Sequence, residues 1–264
     1  MNWTSLVLAT LAGAMAGVLA RVFAGDPKEN QGAFAGTFVV ALLALMAVSR
    51  TYVQPWFDLR TAEAALLEIP AYQAIKKYDP KAYAGLMDDV RQSLKSGSSR
   101  QEIFGIFRNR LTTIVQTRLP TASDEAVVTY MSATMAELDE LYQRGGDLCH
   151  RFMFPQPGDA IDGSKYFSKQ AQDADLAALA RVIETSARDP QVVPRESDVM
   201  PRLQPIFTQL ANEYGRDIAL LQNPGAPSVD RRKICTMTAS LYGKILGLPP
   251  DEGGKILRYL VSQT

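Results

Sequence analysis

The chain contains 264 residues with 28 basic and 28 acidic side chains, so its formal net charge at pH 7 is zero. This balance argues against nucleic acid as a main partner, because nucleic-acid-binding surfaces carry an excess of Lys and Arg. Apolar residues are densest in the first 53 positions, whereas the remainder has the composition of an ordinary soluble domain. We therefore predict two domains, residues 1–54 and residues 55–264.

Two apolar runs, residues 3–23 and 32–53, predict a transmembrane hairpin. A bilayer core needs roughly 20 apolar residues per helix. Each run meets this length if Arg21 and Arg50 extend their guanidinium groups to the lipid headgroups. Neither run contains Asp, Glu, Lys or His, so we interpret the pair as an anchor rather than a channel. The alternative, a cleaved signal peptide followed by a buried helix, lacks the basic start of such a peptide.

The remaining sequence predicts helices and no sheet. From Asp58 onward, apolar residues recur at helical spacing. No run combines alternation of period two with enrichment in β-branched residues. We therefore predict an all-α protein in which the N-terminal hairpin precedes a compact multi-helix soluble domain.

Helix boundaries follow from capping residues, prolines and glycines in chain order. In the first half, starts are predicted at Asp79-Pro80, at Ser99 in a capping box, and at Ser123, with stops at Gly97, Pro120 and Gly145-Gly146. In the second half, helices are predicted over residues 148–154, over 175–187, from Ser197 or Asp198 to Asn223, over 229–246 with Ser228 as the cap, and from Pro249-Pro250 onward.

A long connection, residues 155–168, is rich in Pro, Gly, Asp and Ser. It carries Asp159, Asp162, Tyr166 and Phe167, which we predict to contact a protein partner. Functional contacts concentrate on loops that a rigid scaffold holds in place. The alternative is an exposed connection with no special role.

Cys149 and Cys235 are the two cysteines of the chain, and they are 86 positions apart. This pattern favours one structural disulfide in an oxidising compartment, which would add roughly 4 kcal/mol of stability in the chain-entropy model. Two unrelated buried thiols are the alternative. The charges that flank the hairpin indicate no orientation, so the cysteines supply one. We predict a two-pass protein of the bacterial inner membrane whose soluble domain faces the periplasm rather than the cytoplasm.

Residues suited to catalysis are few. The single histidine, His150, directly follows Cys149. Neighbouring helical residues point roughly 100° apart, so these two do not form a nucleophile–base pair. Acidic pairs such as Glu137 with Glu140 are interpreted as solvated helix faces. The chain is predicted not to be an enzyme.

Metal-binding patterns are equally weak. Asp159 and Asp162, followed by Gly163, faintly suggest a calcium loop, but Ala160 occupies a position where such a loop needs an acid. Two cysteines and one histidine fall short of the roughly four ligands of a zinc site. We predict neither a metal nor a cofactor.

Two stretches resemble bacterial envelope proteins. They are Leu-Cys-His-Arg-Phe-Met-Phe-Pro at residues 148–155 and Leu-Pro-Pro-Asp-Glu-Gly-Gly-Lys-Ile-Leu-Arg-Tyr-Leu at residues 248–260. Together with the layout of hairpin and helical domain, they are similar to membrane-anchored immunity proteins of type VI secretion effectors. The resemblance implies a protein that binds and inhibits a toxin, and it supplies no binding residues.

Three classes of function remain open at this stage. The first is an anchored helical protein that blocks a toxin or secreted effector by occlusion. The second is a structural or assembly factor of a bacterial envelope complex. The third is an enzyme or small-ligand sensor, which would need a deep polar pocket. The weakness of the catalytic motifs and the resemblance favour the first, with a protein partner, a membrane and no nucleic acid.

Overall fold

The computed structural model describes residues 15, 38–45, 54–98, 100–154, 161, 163–226 and 229–263. The chain divides into two compact units. The first consists of Met1–Leu66 with Gly85–Phe107, and the second of Leu67–Ala84 with Arg108–Thr264. The predicted domain boundary between residues 54 and 55 stays a prediction.

The all-α prediction is confirmed, because no strand occurs in the described ranges. The α-helices that follow residue 53 in these ranges are α1 (Gln54–Leu66), α2 (Pro70–Tyr78), α3 (Pro80–Ser96), α4 (Arg100–Arg118), α5 (Asp124–Arg144), α6 (Gly146–Met153), α7 (Gly163–Tyr166), α8 (Lys169–Arg188), α9 (Glu196–Tyr214), α10 (Arg231–Leu246) and α11 (Pro250–Ser262). Two 3-10 helices, Leu119–Thr121 and Gly215–Gln222, follow α4 and α9.

The predicted membrane spans lie outside the described residues except for Met15 and residues 38–45. Within the ranges that the structure describes, no helix is both long enough and apolar enough to cross a bilayer. Residues 38–45 are helical. In this short piece Val39, Val40 and Leu43 are exposed.

Several helix starts are confirmed as predicted. The Asp79 carboxylate accepts the Ala82 N–H at 3.1 Å and so caps α3, and the Ser123 hydroxyl accepts the Ala126 N–H at 3.3 Å at the start of α5. Each bond satisfies one of the first N–H groups of a helix, which have no partner within it. Helix α11 begins at Pro250, where a proline loses no hydrogen bond because its position needs none. The capping box predicted at Ser99 lies outside the described residues.

Three predicted boundaries are wrong. Helix α8 begins at Lys169 rather than residue 175, because the Ser168 hydroxyl caps it by accepting the Ala171 N–H at 3.2 Å. Helix α9 ends at Tyr214, where Gly215 takes a φ of 57° that other residues rarely adopt. Helix α10 is capped by Asp230, not Ser228, and the Asp230 carboxylate accepts the Lys233 N–H at 3.0 Å.

The first unit takes its described core from α3. Its buried side chains recur every three or four residues, so they share one face of the helix. They are Leu86, Met87, Val90 and Ser93.

The second unit is built around α5. Helices α6, α8, α10 and α11 all contact it, and α8 also packs on α2. One cluster of buried apolar side chains joins α5 to α9 and α11, with Val127, Leu210 and Leu257 fully buried. A second cluster lies toward the other end of α5, around Leu138 and Leu141.

The start of α5 and helix α11 approach one another unusually closely. A Cβ atom added to Gly254 would lie 2.4 Å from the Asp124 Cβ and 2.5 Å from the Asp124 Cα. Alongside, the buried Arg258 donates from Nε to Asp124 Oδ1 and from Nη1 to the Val192 carbonyl, both at 2.8 Å. The glycine therefore permits the contact that the buried ion pair then fixes.

We predict that Gly254→Ala lowers the free energy of unfolding by about 1–3 kcal/mol, because an added methyl group in a full contact forces the backbone apart. The matched control is Gly243→Ala in α10, where nothing lies within 4 Å of an added Cβ. That change should raise stability by about 0.5–1 kcal/mol through helix propensity. Urea unfolding of the three proteins measures both effects, and equal effects of the two substitutions would contradict the close contact.

Candidate functional site

The two cysteines join α6 to α10. Cys149 and Cys235 lie at disulfide distance, with their Cα atoms 6.0 Å apart. Both side chains are buried, at 0% and 1% exposure. Cys149 lies on the face of α6 that packs on α5, and Cys235 lies in the first turns of α10, which Asp230 caps. The predicted proximity of the pair is confirmed. It arises from the packing of two helices whose cysteines are 86 positions apart in the chain.

Three consecutive basic residues hold the start of α10 in place. Arg231 pairs with Asp147 of α6 at 2.7 Å, and Lys233 pairs with Asp217 of the preceding 3-10 helix at 2.7 Å. Between them, the Arg232 guanidinium lies 5.5 Å from the centre of the Tyr142 ring of α5. The three side chains thus contact three different elements, and this orients α10 so that Cys235 meets Cys149.

The imidazole of His150 also connects α6 to the chain that leads into α10. His150 is buried, and its Nε2 lies 2.8 Å from the Pro224 carbonyl oxygen in the loop before α10. Its ring is 5.3 Å from that of Phe154. His150 thus contacts Pro224 through Nε2, whereas Cys149 lies against Cys235. The two adjacent residues therefore have separate structural contacts.

Aromatic side chains border the cysteine pair. Tyr166 and Phe167 are half-buried against the cluster of Leu138, Leu141 and the two cysteines. The Phe167 ring meets that of Phe152 edge to face at 5.4 Å. These two predicted contact residues therefore form the rim of the cluster and stay partly exposed to solvent. Asp159 and Asp162, the other two, lie outside the described residues.

A shallow groove of about 270 Å³ runs over the cysteine pair between α5 and α10. It is lined by Met135, Leu138, Asp139, Tyr142, Cys149, Cys235, Thr236 and Ala239. Hydrogen bonds from Arg232 and then Thr236 lower the pKa of Tyr142. The groove is therefore mostly apolar, with one carboxylate and one cation-bound phenol at its edge. Sequence reasoning missed it because its walls come from residues about 100 positions apart.

A second cavity, of about 280 Å³, lies where α9 and α11 begin. Its charged residues have both signs, and Arg202 pairs with Glu252 across it at 2.9 Å. In the part of the chain that the structure describes, no group of three or more His, Cys, Asp or Glu side chains is arranged to hold a metal ion. The groove over the cysteines is thus the stronger candidate for a functional site.

We predict that replacing both cysteines, Cys149→Ser with Cys235→Ser, lowers the free energy of unfolding by about 2–5 kcal/mol, as for loss of a native disulfide. Thermal unfolding with and without a reductant measures this effect. The reductant should destabilise the natural chain to a similar extent and leave the double variant unchanged. A natural chain that melts at the same temperature with and without reductant would show that the cysteines are not bridged.

No family model, curated protein or solved structure matches this chain. The resemblance to membrane-anchored immunity proteins therefore rests on the two sequence stretches and the layout. The features that bear on function are the cysteine pair, its aromatic rim and the groove between α5 and α10.

Proposed function

We propose that this chain is an inner-membrane-anchored binding protein that inhibits a protein toxin by occlusion. One observation carries the proposal, namely the groove between α5 and α10. It is an apolar surface that has Tyr142 at its edge and lies over a buried cysteine pair. Tyr166 and Phe167 pack against the same cluster of side chains as that pair. Aromatic side chains on a rigid support are typical anchors of protein–protein interfaces, because they bury a large area and lose little conformational entropy.

The groove alone is too small to be the whole interface. A volume of about 270 Å³ accommodates one or two side chains, whereas a stable interface covers roughly 800 Å² on each partner. The proposed partner therefore inserts an apolar or aromatic side chain between α5 and α10 and contacts the surrounding helix faces. Occlusion then follows from the size of the covered area and requires no chemistry from the inhibitor.

The proposed anchor consists of residues 3–23 and 32–53. It is supported by their apolar sequence and by the exposure of Val39, Val40 and Leu43 on the short helix within the second run. Burial of such side chains in lipid is favourable because apolar surface leaves water. A bridge between Cys149 and Cys235 would further support a periplasmic soluble domain, because disulfides persist in that compartment.

Membrane orientation is tested by labelling a new cysteine. The two natural cysteines are buried, so the test uses Thr208→Cys, an exposed position on α9, in a chain carrying Cys149→Ser and Cys235→Ser. We expect a membrane-impermeant maleimide to label this protein in intact cells, and the protein to fractionate with membranes. Labelling that appears only after lysis would place the domain in the cytoplasm.

The occlusion proposal predicts that Ala239→Arg abolishes binding, because Ala239 lines the groove and an arginine would place a charge where an apolar group docks. The matched control is Thr129→Arg, at an exposed position of α5 that does not line the groove. The measurement is co-purification of the full chain with the toxin encoded beside it, together with growth of cells that express that toxin.

The natural chain and the Thr129→Arg variant should retain the toxin and protect growth, whereas Ala239→Arg should lose both by at least about tenfold, which corresponds to 1.4 kcal/mol. Equal protection by all three proteins would exclude the groove as the docking surface. Association with several envelope components, without protection against the toxin, would instead identify an assembly factor.

A further inference from the structure

A buried carboxyl group lies in the contact between α5 and α8. Glu137 is 6% exposed, which contradicts its interpretation as part of a solvated face. It lies on the same side of α5 as the buried Leu141, which is four residues further along the helix. The sequence contained this signal, since position 137 continues the apolar spacing, but the neighbouring acids concealed it.

Asp175 lies on the buried side of α8, as Glu137 does on α5. It lies between Ala171 and Ala178 at spacings of four and three residues, and both alanines are buried. Asp175 is half-buried. Two packed helices thus each contribute a carboxyl group from the face that they bury.

Neither carboxyl group has a partner that would stabilise its charge. Within the described residues, Glu137 and Asp175 accept no hydrogen bond and form no ion pair. Several cations on and near these helices contact other groups: Lys169 pairs with Asp173, Arg181 with Glu125, Arg188 with Glu184 and Arg231 with Asp147, while Lys76, Lys77 and Arg232 lie over the rings of Tyr83, Tyr78 and Tyr142. Arg144, at the end of α5, acts on Glu140.

The two titratable groups that act on Glu137 are both acidic. Burial first, and then the carboxylates of Asp175 and Glu140, raise the pKa of Glu137 to about 8. Burial raises the pKa of Asp175 to about 6. Burial also raises the pKa of Tyr130, two helix turns away on α5, and the acids Asp175 and Glu137 add to that effect. Ionisation of the acidic groups at this contact is therefore unfavourable on both helices.

The same contact holds the segment that precedes α8. The Ser168 N–H and hydroxyl donate to the two oxygens of the Glu140 carboxylate, each at 2.6 Å. Just before it, Tyr166 and Phe167 pack against the cluster around the cysteines. Separation of α8 from α5 would therefore break the two bonds between Ser168 and Glu140 and free the adjoining segment that carries the aromatic rim.

We propose that the contact between α5 and α8 is a proton-dependent clasp. A proton held on Glu137 keeps the N-terminal half of α8 and the adjoining residues 163–168 packed on α5, and loss of this proton loosens them. The device does not depend on the proposed binding function.

The direction of the effect follows from linkage. When the contact opens, the Glu137 carboxyl group becomes fully solvated, and its pKa returns to about 4.3. The closed form thus binds the proton more tightly than the open form. Stabilisation of the closed form is fully present below the pKa of the open form, and it is lost as the pH rises toward that of the closed form. Raising the pH through neutrality should therefore favour opening.

The experiment is hydrogen exchange of the full purified chain, read by mass spectrometry in residues 163–176 and corrected for the intrinsic pH dependence of exchange. Between about pH 6.5 and about pH 8, one linked proton gives an opening equilibrium that rises by up to about tenfold per pH unit. Amides in the middle of α9 serve as the internal reference, because their opening should not follow this dependence.

Glu137→Gln removes the charge without changing the shape of the side chain. It should abolish the slope, that is, the rise of the opening equilibrium with pH. Asp139→Asn, an exposed neighbour on the same helix, makes the same change of charge and should keep it. Asp175→Asn removes one repelling charge and should move the slope to lower pH, which tests the clasp independently should Glu137→Gln fail to fold. The proposal is overturned if the natural chain shows no slope, if Glu137→Gln keeps it, or if the α9 amides show the same slope.

Discussion

The junction of α6 with α10 at Cys149 and Cys235 is the constraint on which the candidate site depends. Helix α6 has eight residues, and a helix of that length is marginal by itself in water. The buried cysteine pair, the bond from His150 to Pro224 and the pairing of Arg231 with Asp147 each attach it to a longer element. Both walls of the groove are positioned as a result, since α5 supports α6 and α10 carries the second cysteine.

The opposite end of α5 is fixed by a different physical device. There, close backbone approach replaces covalent attachment, and Gly254 allows α11 to contact Asp124 before Arg258 joins the two through a buried charge pair. Removing one partner of such a pair leaves a buried charge without compensation, which costs more than the pair contributes. The central helix is thus held at both ends by contacts between residues far apart in the chain.

Local signals in the sequence were sufficient for most of the helices and for the class of fold. Proline and capping residues have local effects, so Asp79, Ser123 and Pro250 could be placed without tertiary information. Ser168 was missed because the helix it caps begins with polar residues and alanine, which show no apolar spacing. The proximity of Cys149 to Cys235 could be suspected from their number, but the groove could not, because its walls form only when α5 and α10 pack. Glu137 was misread because a tertiary contact, rather than its sequence neighbours, determines its burial.

The proposed anchor would lower the affinity that the docking surface needs for its partner. An inhibitor confined to a membrane meets an arriving toxin at a high effective concentration, so a moderate interface suffices where a free inhibitor would need a tighter one. Such an interface still benefits from rigidity, because a surface already in its bound conformation loses less entropy on association. The proposed clasp would act on this property, because Ser168 bonds to Glu140 of α5 and Tyr166 and Phe167 pack against the cluster that α5 helps to form. A rise in pH would then weaken binding by loosening the segment that carries Tyr166 and Phe167, the two described residues that we predict to contact the partner.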